Sequence, residues 1–91
     1  MMAGGSVNQP ITQEDINLIT SLKGEVERVA ARTFDLFEVV AHKTQVVAGV
    51  NHKFKVKVGD SEHIHVKVFE SLQGQQTVQT VEQGKTATCS L

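Results

Sequence analysis

The chain has no tryptophan, no tyrosine, one proline and one cysteine. With Cys89 alone no intrachain disulfide can form, so the fold cannot rest on covalent staples. A small secreted domain would usually carry paired cysteines, and a lone thiol points to a reducing compartment. The opening residues Met1-Met2-Ala3-Gly4-Gly5-Ser6 have no basic stretch and no apolar run, so no secretory leader is expected. Met rather than Gly at position 2 argues against N-myristoylation. No apolar stretch approaches the ~20 residues that a membrane helix needs. A cytoplasmic protein with no membrane partner is the expectation. Nine basic and ten acidic side chains leave a formal net charge of −1 at pH 7, which gives no support to a nucleic-acid partner. The aromatic residues are Phe34, Phe37, Phe54 and Phe69, so a core must lean on Val, Ile and Leu.

Within 91 residues, 40% are apolar and 21% are charged, the composition of an ordinary soluble globular chain. The length suits one domain over residues 1–91. Residues 1–11 are small and polar and read as a flexible arm, and Pro10 disfavours helix at Gln9. Thr12 is a candidate N-cap before Gln13-Glu14-Asp15. Apolar residues then recur at Ile16, Ile19, Leu22, Val26, Val29 and Ala30, which predicts one amphipathic helix from about Gln13 to about Arg32. Gly24 interrupts it, marking either a close approach to a sheet or a local weakness.

After Thr33 the period changes to that of strands. Phe37 to Thr44 alternates imperfectly and leads into Gln45 to Gly49. Lys53 to Val58 alternates cleanly, with Phe54, Val56 and Val58 inward and the lysines in water. Gly59-Asp60-Ser61 is a turn, and His63 to Phe69 is a second clean strand with Ile64, Val66 and Val68 inward. Gln73 to Gln76 reads as a turn, Thr77 to Val81 as a shorter strand, and residues 82–91 as a tail of uncertain structure. The predicted fold class is α+β, one long helix packed on a four- to five-stranded antiparallel sheet.

Several residue types that carry chemistry have a plainer reading here. His63 and His65 share a strand face, a spacing that suits a metal ion, but no carboxylate or thiol is clearly placed with them. They are read as a solvated face, and no metal or cofactor is expected. Cys89 has no histidine near it in sequence to act as a base and reads as an incidental thiol. Lys53, Lys55, Lys57 and Lys67 make a basic sheet face without interleaved aromatics, read as solvated. No nucleophile–base pair, metal set or phosphate loop points to an enzyme.

Gln45-Val46-Val47-Ala48-Gly49 stands at a hairpin tip, where Asn, Asp, Gly or Pro would usually face water. An apolar tip suits burial against another molecule. The five residues match the Gln-Val-Val-Ala-Gly signature of the cystatin superfamily, inhibitors of papain-like cysteine proteases. The surrounding order resembles the stefins, the intracellular cystatins without disulfides or signal peptides. The likeness runs from Met1 to about Gln75 and includes Gly4 in the arm, Gln9-Pro10, Lys43-Thr44, Val58-Gly59-Asp60, Val66-Lys67-Val68-Phe69 and Ser71-Leu72.

That resemblance implies a cystatin-like fold and a reversible, tight-binding, competitive inhibitor with no catalytic residues. It implies one wedge made of the arm at Gly4 and Gly5, the hairpin Gln45, Val46, Val47, Ala48 and Gly49, and the loop at Leu72 and Gln73. The implied partners are cathepsin L-, S-, H- and B-like proteases, met by a monomer. The other reading keeps the fold as an interaction module with weak or no inhibition, self-associating as a domain-swapped dimer. Stefins usually have Leu-Pro in the second loop where this chain has Leu72-Gln73, which predicts a weaker contribution from that loop. The segment after Gln75 also departs from the stefin pattern, lacking the aromatic residues usual near a stefin C-terminus.

Overall fold

A computed structural model describes residues 7, 8 and 10–86. Thr12 starts the helical part by a reciprocal cap. The Asp15 backbone N–H donates to Thr12 Oγ1 at 3.2 Å, and the Asp15 carboxylate accepts from the Thr12 N–H at 3.0 Å and its hydroxyl at 2.9 Å. The helix that follows is not continuous. It forms α1 (Gln13–Ser21) and α2 (Lys23–Ala30), broken at Leu22, where the single helix expected from the apolar stripe would have run through. Ser21 Oγ donates to the Leu18 carbonyl at 2.7 Å, a bond from side chain to helix backbone of the kind that bends helices. The Leu22 N–H turns to the Ile19 carbonyl, and regular bonding resumes with the Val26 N–H on the Leu22 carbonyl.

Gly24 does not mark a close approach, since a Cβ built there meets nothing within 4 Å. Ile19 and Val26 are fully buried, whereas Ile16 and Val29 are exposed at the edges of the stripe. Each buried side chain contributes roughly 1.5–3 kcal/mol, more than the ~1 kcal/mol that Gly24 costs. Ala31 ends α2 in the left-handed region at φ 58°, with the Arg32 N–H on the Glu27 carbonyl. Arg32 then grips the Glu62 carboxylate with both terminal nitrogens and reaches Gln83 Oε1 at 3.2 Å, tying the helix end to one strand and to the connection that leads into its neighbour.

Five strands make one antiparallel sheet in chain order: β1 (Val7–Asn8), β2 (Glu38–Val47), β3 (Gly49–Lys57), β4 (His63–Glu70) and β5 (Gln76–Lys85). β1 falls within the segment expected to be an arm, and β5 continues beyond Val81, where the apolar alternation fades. Phe54, Val56, Val58, Ile64, Val66 and Val68 are buried on the face toward Ile19, Val26 and Phe34, as the alternation of β3 and β4 predicts. The helices on one side of the sheet give the α+β cystatin-like arrangement.

The opposite face departs from expectation. Lys55, His63 and His65 are buried rather than solvated. Register explains it: Lys55 stands opposite His65, Lys57 opposite His63, and Lys53 opposite Lys67. Lys53, Lys67 and Lys85 line one groove with His65, and Lys55 and Lys57 line another with His63.

Candidate functional site

Two connections share one end of the sheet. The β2–β3 hairpin turns at Ala48 with Val47 opposite Gly49 and Val46 opposite Val50. Val50 in turn stands opposite Glu70, and Glu70 opposite Gln76, so the β4–β5 loop emerges beside the hairpin. Val7 pairs with Thr44, so β1 starts at this same end. Gly4 and Gly5 lie outside the described residues.

Val46, Val47 and Leu72 are 66%, 44% and 80% exposed, the largest values among the big apolar side chains described. Strand alternation turns Val46 and Val47 to opposite faces of the ribbon, so the tip is apolar on both sides. Ala48 and Gln73 are exposed with them. Gly49 has φ +123°, and a Cβ there would lie 2.5 Å from the Glu70 carbonyl oxygen and 2.9 Å from the Phe69 ring. Only glycine lets the hairpin sit this close to β4. Gln45 faces Asn51, whose amide donates to Gln45 Oε1 at 3.4 Å across the base of the tip. In the second loop the Ser71 N–H donates to the Gln75 carbonyl at 2.8 Å, the Gly74 N–H to the Ser71 carbonyl at 2.9 Å and the Gln75 N–H to Ser71 Oγ at 3.1 Å. Hydrogen bonds thus close the loop that Gln73 leaves without a proline.

Directly beneath lies a row of polar side chains that the sequence reading missed. His42 Nδ1 is 3.4 Å from Asp15 Oδ2, His42 Nε2 is 3.0 Å from His52 Nδ1, and His52 Nε2 is 3.0 Å from Glu70 Oε1. Both imidazoles are buried, and the His42 ring stacks on Phe54 at 4.5 Å between centroids. The signal was present, since His52 stands two residues before Phe54 and so on its face, and His42 pairs with Phe54 across the strands. Burial lowers the His42 pKa from its ordinary value, against a smaller raising by Asp15, and the His52 charge lowers it further. Burial raises the Asp15 pKa, but the Thr12 N–H and hydroxyl and the two imidazoles outweigh it, and the carboxyl sits below its usual value.

Asp15, His42 and His52 also bring one donor atom each within 4.8 Å of one another. The two ring nitrogens meet head-on at 3.0 Å, the geometry of a hydrogen bond, whereas an ion would need both lone pairs turned toward a third point. Among the described residues no helix is long and apolar enough to cross a membrane. Cys89 lies outside the described residues.

Comparison with known proteins agrees with this geometry. The family model described as the Cystatin domain matches residues 25–91. Cystatin-A1 of Sus scrofa is 42% identical over 73 residues, covering 79% of this chain and 71% of the relative. Cystatin-A of Homo sapiens is 42% identical over 76 residues, covering 82% and 78%. Cystatin-B of Homo sapiens is 40% identical over 73 residues, covering 79% and 74%.

Proposed function

This chain belongs to the cystatin family of cysteine protease inhibitors, and we propose that it is a reversible, non-covalent, competitive inhibitor that plugs the active-site cleft of papain-like proteases. Its members are inhibitors rather than enzymes, and the chemistry asked of the chain is obstruction. The observation that carries the reading is the exposure of Val46, Val47 and Leu72 at one end of the sheet, on two hydrogen-bonded turns. Removing such surface from water is worth about 25 cal/mol per Å². Turns already closed by Gly49 and Ser71 lose little conformational freedom on docking, so a modest contact area can bind tightly.

Gln45, Val46, Val47, Ala48 and Gly49 form the central plug in this proposal, with Leu72 and Gln73 beside them. Gly4 and Gly5 are proposed to enter alongside, on the side of the cleft that holds the acyl part of a substrate. Without a Cβ, Gly4 can pass the catalytic cysteine closely and turn away without presenting a carbonyl for attack. Cathepsin L-, S-, H- and B-like enzymes are the proposed targets, and the cytoplasm the proposed compartment. Titration of papain and a cathepsin L-like enzyme with the pure protein tests this. Loss of activity with competitive, reversible kinetics is expected, and full activity at micromolar protein would overturn it.

A further inference from the structure

We infer that Asp15, His42, His52 and Glu70 form a proton-dependent brace that positions the inhibitory segments, tightened when His42 Nδ1 takes up a proton. The inference rests on the protease-blocking reading of the two loops.

Each member of the row belongs to a different part of the wedge. Asp15 holds Thr12, the residue that starts α1 after the N-terminal segment. His42 sits in β2 two residues before Thr44, the partner of Val7. His52 lies three residues after Gly49 in β3. Glu70 closes β4 immediately before the Ser71–Gln75 turn. A single line of contacts therefore crosses α1, β2, β3 and β4 just below the apolar tip.

Counting protons shows what the row lacks. Ionised carboxylates only accept, and a neutral imidazole has one N–H. Three contacts need three protons, and two neutral rings hold two. With both protons on Nε2, His52 donates to Glu70 and His42 donates to His52, and His42 Nδ1 faces Asp15 as a bare lone pair. The distances follow that pattern: the two filled contacts are 3.0 Å, the third is 3.4 Å, and His42 Nδ1 is buried without a hydrogen-bond partner.

A proton arriving at His42 Nδ1 donates to Asp15 and takes the row from charge −2 to −1. Among the described residues, the titratable groups against His42 are Asp15 of α1 and His52 of β3, and Phe54 covers the ring face without charge. Glu70 of β4 reaches the row through His52, and Glu14 of α1 lines a groove with Asp15, His52 and Glu70. Because burial opposes the charged ring, uptake belongs to acidic pH, below the ordinary histidine range. Once bound, the proton fixes the start of α1 to the hairpin, which leaves less to order when the wedge docks.

Asp15→Asn separates the brace from the rest. With its carbonyl oxygen in the place of Oδ2 it still accepts from Thr12, but it faces His42 Nδ1 without a charge to draw a proton there. Dissociation from papain is measured for parent and variant near neutral pH and near pH 5, and the ratio of the two off-rates cancels the response of papain itself. Near neutral pH parent and variant are expected to leave at similar rates, and near pH 5 the variant about threefold faster. Nitrogen NMR of the free parent is expected to show His42 protonated at Nε2 and bare at Nδ1 at neutral pH, with Nδ1 filling only in acid. A ratio that does not change with pH, in a parent that inhibits, overturns the brace alone, as does a neutral-pH proton on His42 Nδ1. A parent that does not inhibit papain overturns the blocking reading, and the role of the brace with it.

Discussion

Adding one methyl group at Gly49 tests how the tip is held. At φ +123° an alanine is strained whatever space it finds, and here it finds the Glu70 carbonyl oxygen at 2.5 Å. Gly49→Ala is expected to lower stability by about 2 kcal/mol, read as a fall in urea midpoint, because hairpin and β4 must part. The same displacement moves Val46 and Val47 relative to Leu72, so papain inhibition should weaken beyond what the stability loss explains. An unchanged inhibition constant would show that the two turns act independently. At this scale much was legible, because the pentapeptide announces an apolar turn from its own residue types. His42, by contrast, carries no local mark, and its environment is made by Asp15 of α1 and by His52 and Phe54 of β3, two other stretches of chain.

Helices and strands differ in how far their own pattern determines them. β3 and β4 alternate so regularly that Phe54, Val56, Ile64, Val66 and Val68 could be assigned to the core before any coordinates. The apolar stripe of the helical region was equally plain, but its period said nothing of the break at Leu22, which depends on the Ser21 hydroxyl and on weak propensity two residues later. Gly24 lies in the first turn of α2 with open space around its missing side chain. Gly24→Ala is therefore expected to stabilise the protein by about 0.5–1 kcal/mol, seen as a higher urea midpoint with papain inhibition unchanged. A loss of stability would mean that the bend itself is required. β5 was hardest to bound, because past Val81 it is held by pairing with β4 rather than by an apolar face of its own. The outer sheet face misled for a related reason: a period of two distinguishes one face from the other but does not show that Lys55, His63 and His65 are buried on the outer one.

Across the whole molecule a net charge of −1 conceals strong segregation. Lys43, Lys53 and Lys67 stand in one cross-strand row, with Lys55, Lys57 and Lys85 in the neighbouring rows, so every lysine except Lys23 belongs to one sheet face. Like charges directly opposite one another oppose the pairing, and the His65 imidazole among them feels the same field. Burial lowers the His65 pKa, with Lys55 and Lys85 lowering it further against a smaller raising by Glu82. On the other face burial lowers that of His42. Both rings resist protons in the native state, whereas the unfolded chain accepts them near the ordinary value of 6.5. Below that value the unfolded state binds more protons, and stability falls as pH falls. The carboxylates act in a lower window. Hydrogen bonds from Arg28 and Arg32 hold Glu25 and Glu62 below their ordinary value, as the Thr12 contacts and the imidazoles hold Asp15, and that contribution is lost only as these groups take up protons. A urea midpoint measured near pH 5.5 should therefore lie below that near pH 7.5, before Asp15, Glu25 and Glu62 take up protons. His65→Gln should narrow the difference by removing one of the two resisting rings while leaving the row beneath the tip intact. Equal midpoints at the two pH values in the parent would show that His42 and His65 accept protons as freely in the native state as in the unfolded chain.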